Sequence, residues 1–352
     1  MRSLLVVVLG ALLPPGGAAL RVVTYNIHAW RTPDHNDNFA DLVDVLAALR
    51  PDVLCLNEVL EPWSPPSADD PYWATVASRR GYAYDQLPPS CTHASVTSHL
   101  RRLAAALGLD HVHYTMANDK GFFGRVPFGN AILSRYPFES TPMELLMRPH
   151  LPADLSLGDQ PRTTDDLEPR SAIFARVMLP AADERAAATF GVCVTHLDHK
   201  AEELRERQVR EVLAAARANF ASRTSEHEHV PFCICGDLNS YDRRDTDDEQ
   251  WAQLVGTCEA RGWPPPREAS LVRRVLEQEG GMVDAYDSFA NNEDLRRSSP
   301  SMPRPPPTAW TGVRLDYIML HGGVRATAQP MTVEGAPCSD HKPVVCELRV
   351  ER

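Results

Sequence analysis

Phe232-Cys233-Ile234-Cys235-Gly236-Asp237-Leu238-Asn239 is an apolar run that passes through a glycine into an acid and an amide. A short apolar run bounded by turn-forming residues reads as a buried strand. Asp237 and Asn239 then stand at its carboxyl end. The pattern recurs upstream: Val22-Val23-Thr24-Tyr25 runs into Asn26, Val53-Leu54-Cys55-Leu56 into Asn57-Glu58, and Val192-Cys193-Val194-Thr195 into His196-Leu197-Asp198. One strand ending in an acid is ordinary. Four that end in Asn, Glu, His and Asp point to side chains converging on one rim of the sheets, where α/β folds place their sites.

Outward from these runs, strands alternate with helices, which argues an α/β architecture. Strands are expected at Leu20–Ile27, Val53–Leu56, His111–Met116, Ala131–Leu133, Ser171–Leu179, Thr189–Thr195, Val230–Cys235, Leu315–Leu320 and Val344–Val350. Phe39–Leu49 carries apolar residues at Leu42, Val45, Leu46 and Leu49, a helical face that Pro51 ends. His99–Leu107 predicts a helix stopped by Gly108, and Glu202–Phe220 a longer one with Val209, Val212, Leu213, Ala216 and Phe220 in one stripe. Thr141–Pro169 and Asn291–Thr311 lack periodicity and read as long surface or binding loops. The acidic run Asp245–Glu249 reads as a solvated loop or a helix start, and Trp63, Tyr72 and Trp73 as core aromatics beside a Pro-rich loop.

The composition supports a folded chain, with 43% of its 352 residues apolar. No apolar run is long enough (~18 residues) for a membrane-spanning helix. Length alone suggests roughly two domains, but large α/β units run as one. The 36 basic against 47 acidic side chains leave a net charge of −11, which repels polyanions at long range. A local cluster of arginines and a divalent ion can still reverse that sign inside one cleft. Met1-Arg2, the apolar run Leu4–Leu13 and the small residues Gly17, Ala18 and Ala19 fit a secretory signal peptide over 1–19. The remainder, 20–352, is expected to be one catalytic domain in a secreted or endomembrane-lumen protein. Of eight cysteines, Cys55, Cys193, Cys233, Cys235 and Cys346 lie in strand-like runs and are expected as buried thiols. Cys91, Cys258 and Cys338 are the better disulfide candidates, and no pairing is fixed. Cys233 and Cys235 lack a second pair at zinc spacing.

The tail adds Arg314-Leu315-Asp316-Tyr317-Ile318 and Ser339-Asp340-His341. The oxygen donors of Glu58, Asp237 and Asp340, with Asn26 and Asn239, favour Mg²⁺, with Mn²⁺ or Ca²⁺ as alternatives, over zinc. An adjacent Asp-His pair, with another acid on a neighbouring strand, could supply both a metal ligand and a proton-transfer group.

Taken in order, Thr24-Tyr25-Asn26-Ile27, Leu56-Asn57-Glu58-Val59, Gly129-Asn130-Ala131-Ile132-Leu133-Ser134-Arg135, Glu168-Pro169-Arg170, Thr195-His196-Leu197, Gly236-Asp237-Leu238-Asn239, Leu315-Asp316-Tyr317-Ile318 and Ser339-Asp340-His341 form an ordered set. The chain resembles the endonuclease/exonuclease/phosphatase superfamily, the group of deoxyribonuclease I, from residue 20 to about 350. The resemblance implies a four-layer α/β sandwich with two central, mostly antiparallel sheets flanked by helices. It implies metal-dependent cleavage of a phosphate ester by water. By the same resemblance Asn26 and Glu58 sit at the metal, Asp340 lies near a metal position or supports His341, and Asp237 and Asn239 position or activate water. His341, oriented by Asp316, and His196 contact the phosphate, and Arg170 clamps one of its oxygens. Asn57 replaces the glutamine of many members; it is expected to point away from Glu58 with little effect on the metal. His28, Asn130, Asp198 and His199 are supports outside the catalytic set. The expected substrate is a phosphate ester, whether nucleic acid, lipid or inositol phosphate, with no obligate protein partner. The alternatives are a phosphatase or sphingomyelinase-like phospholipase of the same fold and, from another class, a catalytically silent binding protein.

Overall fold

The computed structural model describes residues 19–61, 99–118, 128–148, 168–180, 188–222, 230–290, 304–333 and 338–350. The amino-terminal segment 1–18, Cys91, Trp63, Tyr72 and Trp73 lie outside them.

Among the described residues thirteen strands form two sheets. Their bounds in chain order are β1 Ala19–Asn26, β2 Val53–Leu60, β3 His111–Asn118, β4 Phe128–Ser134, β5 Met143–Met147, β6 Arg170–Leu179 and β7 Ala188–His196. After them come β8 Phe232–Asp237, β9 Val283–Asp284, β10 Asp316–His321, β11 Val324–Ala326, β12 Met331–Thr332 and β13 Val344–Val350. The first sheet has the order β11-β13-β1-β2-β4-β3, with β12 beside β13; the second has β5-β6-β7-β8-β10-β9. Each sheet holds one parallel pair, β1 with β2 and β7 with β8, and is otherwise antiparallel.

Parallel neighbours need a crossover. The helices Phe39–Leu49 and Glu202–Asn219 supply it in the two sheets. This sets the site: Asn26 lies opposite Asn57, and His196 opposite Asp237, at carboxyl ends that share one rim. Asp316 reaches that rim from the first residue of β10, because β10 runs antiparallel to β8 and pairs Asp316 with Asp237.

The layers follow from strand alternation, which gives each strand of a covered sheet two apolar faces. Val22, Val53, Cys55 and Ile132 meet Ile173, Val192, Val194, Cys233, Cys235 and Ile318 between the sheets. Leu42, Leu46, Leu100 and Leu103 cover the outer face of the first sheet, and Val209, Val212, Leu213, Val272 and Leu276 that of the second. The architecture is therefore the four-layer α/β sandwich expected from the sequence.

Two expectations need correction and a third is narrowed. The aperiodic stretch Thr141–Pro169 contains the edge strand β5. The acidic run Asp245–Glu249 is a helix start, one of the two forms expected of it, and the solvated-loop alternative falls. Asp245 is buried and takes a paired contact from Arg273, while Asp248 and Glu249 open the helix Asp248–Arg261 behind an Asp247/Gln250 capping box. Cys258 and Cys338, offered as disulfide partners, are free and buried in apolar clusters, where a thiol packs as a small hydrophobe.

Candidate active site

Asn26, Glu58, Asp237, Asp316 and His341 come together at the shared rim as two hydrogen-bonded groups, with His341 Nε2 3.6 Å from Asp237 Oδ2 between them. Asn26 Nδ2 donates to Glu58 Oε1 at 3.0 Å and to Asp237 Oδ2 at 3.0 Å, linking one sheet to the other. The pairing register breaks between Leu56 and Val59, and Glu58 takes φ 57°, so β2 bulges at this residue. Asn239 also sits in the left-handed region, at φ 49°. Its backbone N–H donates to Asp237 Oδ1 at 2.9 Å and its Nδ2 to Leu197 O at 3.1 Å. Such backbone concentrates at functional sites.

His341 and Asp316 form the second unit, with Nδ1 2.8 Å from Asp316 Oδ2. Burial opposes charge on this imidazole, but Asp316 and Asp237 outweigh it and hold its pKa well above 6.5. With both ring nitrogens protonated, Nδ1–H goes to Asp316 and Nε2–H faces Asp237 Oδ2 at 3.6 Å.

His196 is the opposite case. Its Nε2 lies 3.2 Å from Arg170 Nη1, and His199 Nδ1 lies 2.8 Å from Arg170 Nη2. A guanidinium only donates, so both imidazole nitrogens accept and both rings are neutral. Burial and then Arg170 push the His196 pKa well below 6.5 and that of His199 down to about 4. The fixed cations here are Arg170 and His341.

The acids carry more negative charge than their neighbours satisfy. Glu58 Oε2 and Asp316 Oδ1 are buried without a partner. Burial, then Asp340, raises the Glu58 pKa, and burial pushes Asp237 up to about 7 despite His341. Asp237, Asp316 and His341 present ligand-type atoms within 4.8 Å of one another. Because Asp316 already occupies His341 Nδ1, that trio is an ion-paired group. The unpartnered oxygen of Glu58, with Asp340 lining the same cavity, fits a hard dication better. The cavity has a volume of about 640 Å³, and Glu58, Arg170, His196, Asp237, Asn239, Asp340 and His341 all line it.

These observations stand beside the comparisons. The Endonuclease/Exonuclease/phosphatase family profile matches residues 23–341. The chain belongs to this family. Among curated protein sequences none matches it. An endonuclease/exonuclease/phosphatase from Beutenbergia cavernae shares 20% identity at a TM-score of 0.56, covering 94% of this chain and 72% of its own. The human nocturnin catalytic domain with bound sulfate anion shares 16% at 0.53, covering 95% of each chain. ANGEL2, a 2′,3′-cyclic phosphatase, shares 16% at 0.54, covering 96% of each. These likenesses establish the fold, and the family's chemistry is phosphoester hydrolysis.

The supports have defined contacts: beside His199 on Arg170, the His28 N–H donates to Asn26 Oδ1 at 3.1 Å. Asn130 Nδ2 donates to Ser171 O at 2.9 Å, and Asp198 Oδ1 accepts the N–H groups of Lys200 and Ala201 ahead of the crossover helix. Asn57 takes up a position between the sheets, pointing away from Glu58. There its Nδ2 donates to Asn130 Oδ1 at 2.7 Å and Thr195 O at 3.1 Å, while its Oδ1 accepts the Asp237 N–H at 2.9 Å. Arg261, Trp263 and Trp310, which also line the cavity, were missed. Their sequence signal was two tryptophans inside Pro- and Arg-rich stretches.

Proposed function

We propose that this family member is a magnesium-dependent hydrolase of phosphate esters, a phosphodiesterase or nuclease. The observation that carries this reading is the Asn26–Glu58–Asp237 link, which sets the buried, under-satisfied Glu58 carboxylate near His341, a cation paired to Asp316. Asn26, Glu58 and Asp340 would hold the ion, with Mn²⁺ or Ca²⁺ as alternatives. When bound, it would supply Lewis-acid stabilisation of charge on the phosphate.

The chain's own residues do the rest. Asn239 N–H and Asn26 Nδ2 fix both oxygens of Asp237, so Oδ2 is aimed at a water entering the cavity. Asp237 Oδ2 takes a proton from that water as its oxygen bonds to phosphorus and the bond to the leaving oxygen breaks. His341 Nε2–H donates to a phosphoryl oxygen as charge gathers there, and Asp316 keeps the ring oriented and charged. Arg170 adds a second fixed cation, and its grip on His196 holds that ring at the cavity wall. The leader at 1–19, supported by its basic start and apolar run, would deliver the enzyme to a secreted or luminal location. The exported chain should then begin at Leu20, checked by its intact mass.

The test is a hydrolysis panel of DNA, RNA, sphingomyelin, inositol phosphates and an aryl phosphodiester, with Mg²⁺ or EDTA. Turnover should need the cation, and Glu58→Gln and His341→Ala should each lower it by about 10²-fold or more. Preference for sphingomyelin or a monoester would select the phospholipase or phosphatase alternative. Full turnover in His341→Ala, or in EDTA, would refute the mechanism.

A further inference from the structure

One wall of the catalytic cavity carries no part of the proposed chemistry. Arg261 sits between two indoles there, its guanidinium carbon 4.5 Å from the Trp310 ring centre and 5.1 Å from that of Trp263. Trp263 in turn meets His199 edge-on at 6.1 Å, so the wall adjoins the imidazoles held by Arg170. Among the described residues no carboxylate pairs with Arg261. Trp310 is 46% exposed, and of the exposed large apolar side chains described it alone lines this cavity.

The wall is built to stay in place. Tyr241, Leu254, Cys258, Ala309, Val313 and Leu315 form a satellite core beneath it, against which Trp263 packs. Trp310 rides on a tight turn closed by Gly312 N–H donating to Ala309 O at 3.0 Å. Ala309 bridges His341, and Thr308 O accepts the Lys342 N–H at 2.7 Å, so the turn is tied to the strand entry that carries the catalytic imidazole.

A rigid indole with an unpaired guanidinium on it binds flat π systems and anions. An acyl chain would need a continuous apolar lip, which one tryptophan does not make. A long polyanion would meet a chain of net charge −11, whereas a short ligand fits a 640 Å³ cavity. We propose that Trp310, with Arg261 and Trp263, forms a subsite that stacks the base of a short nucleotide whose phosphate lies at Asp237 and His341. This assignment rests on the hydrolase reading and names its substrate class.

The experiment compares two diesters with the same leaving group, the p-nitrophenyl esters of thymidine 5′-phosphate and of methyl phosphate, in wild type, Trp310→Ala, Trp310→Phe and Arg261→Ala. Stacking of one base is worth about 5- to 150-fold. Trp310→Ala should therefore raise KM for the thymidine ester by about that factor, leaving kcat and the methyl ester within about twofold. Phenylalanine should restore most of the loss, and Arg261→Ala should show the same selectivity. Equal effects on both esters, or none, overturn the subsite while the hydrolase reading stands. If neither ester is cleaved with Mg²⁺, the phosphodiesterase reading fails. Equilibrium titration with adenosine 5′-monophosphate then decides the subsite, since equal affinity in wild type and Trp310→Ala overturns it.

Discussion

Gly236 stands between the core residue Cys235 and the catalytic candidate Asp237 with φ +133°, a conformation that side-chain-bearing residues rarely adopt. A methyl group there would meet Thr195 O at 2.0 Å and Asn57 Oδ1 at 3.1 Å. Both are fixed by the pairing of β7 with β8 and by the contact between the sheets. Gly236→Ala should therefore lose about 3 kcal/mol or more in urea unfolding, through backbone strain and overpacking together. An unchanged midpoint would mean that β8 can move away from β7. The same close approach explains why Asp237 can be so buried: no side chain at 236 separates the strands, and Asn57 reaches the Asp237 N–H directly.

Asn57, Asn130, Ser171 and Thr195 make a polar seam through an otherwise apolar interface between sheets, with Thr195 Oγ1 also donating to Ser171 O at 3.1 Å. Removing the Asn57 amide would strand the Asp237 N–H and the Asn130 carbonyl away from water. Asn57→Ala should thus cost about 2–4 kcal/mol and lower turnover more than it raises KM. Turnover loss without destabilisation would contradict the seam. The seam was half legible. Strand-end polarity in Asn26, Glu58, His196 and Asp237 placed the rim, but alternation could say only which way Asn57 points, not what the other sheet presents to it. β5 escaped because Met143–Met147 is a short edge strand whose first four residues are half-buried, so no clean alternation develops. The helix Asp248–Arg261 buries only Leu254 and Cys258, too narrow a stripe to register; its capping box was the readable signal. The pairs Arg314–Asp284 and Arg273–Asp245 join segments distant in sequence, which periodicity does not reveal.

For the molecule as a whole, stability against pH is a contest between buried groups of opposite bias. His199, held down at about 4, stays neutral in the folded protein while the unfolded chain would protonate it near 6.5. Its contribution is full above about 6.5 and is lost as pH falls toward 4. Asp237, raised to about 7, has the reverse sign: the folded state gains from its protonation over that range. A difference measurement separates them. Between pH 7 and pH 5 wild type should lose on the order of 1–2 kcal/mol more than His199→Gln in urea unfolding. Parallel curves would show that His199 is protonated in the folded state. Another molecule-wide consequence lies in the pairing of β1 with β13, where Leu20 faces Leu348 and Thr24 faces Val344. On the ribosome, β1 gains this neighbour only when Val344–Arg349 emerge, on the order of tens of seconds later. Throughout that interval the nascent chain exposes an unmatched apolar edge beside Asn26, which leaves the rim among the last parts to assemble.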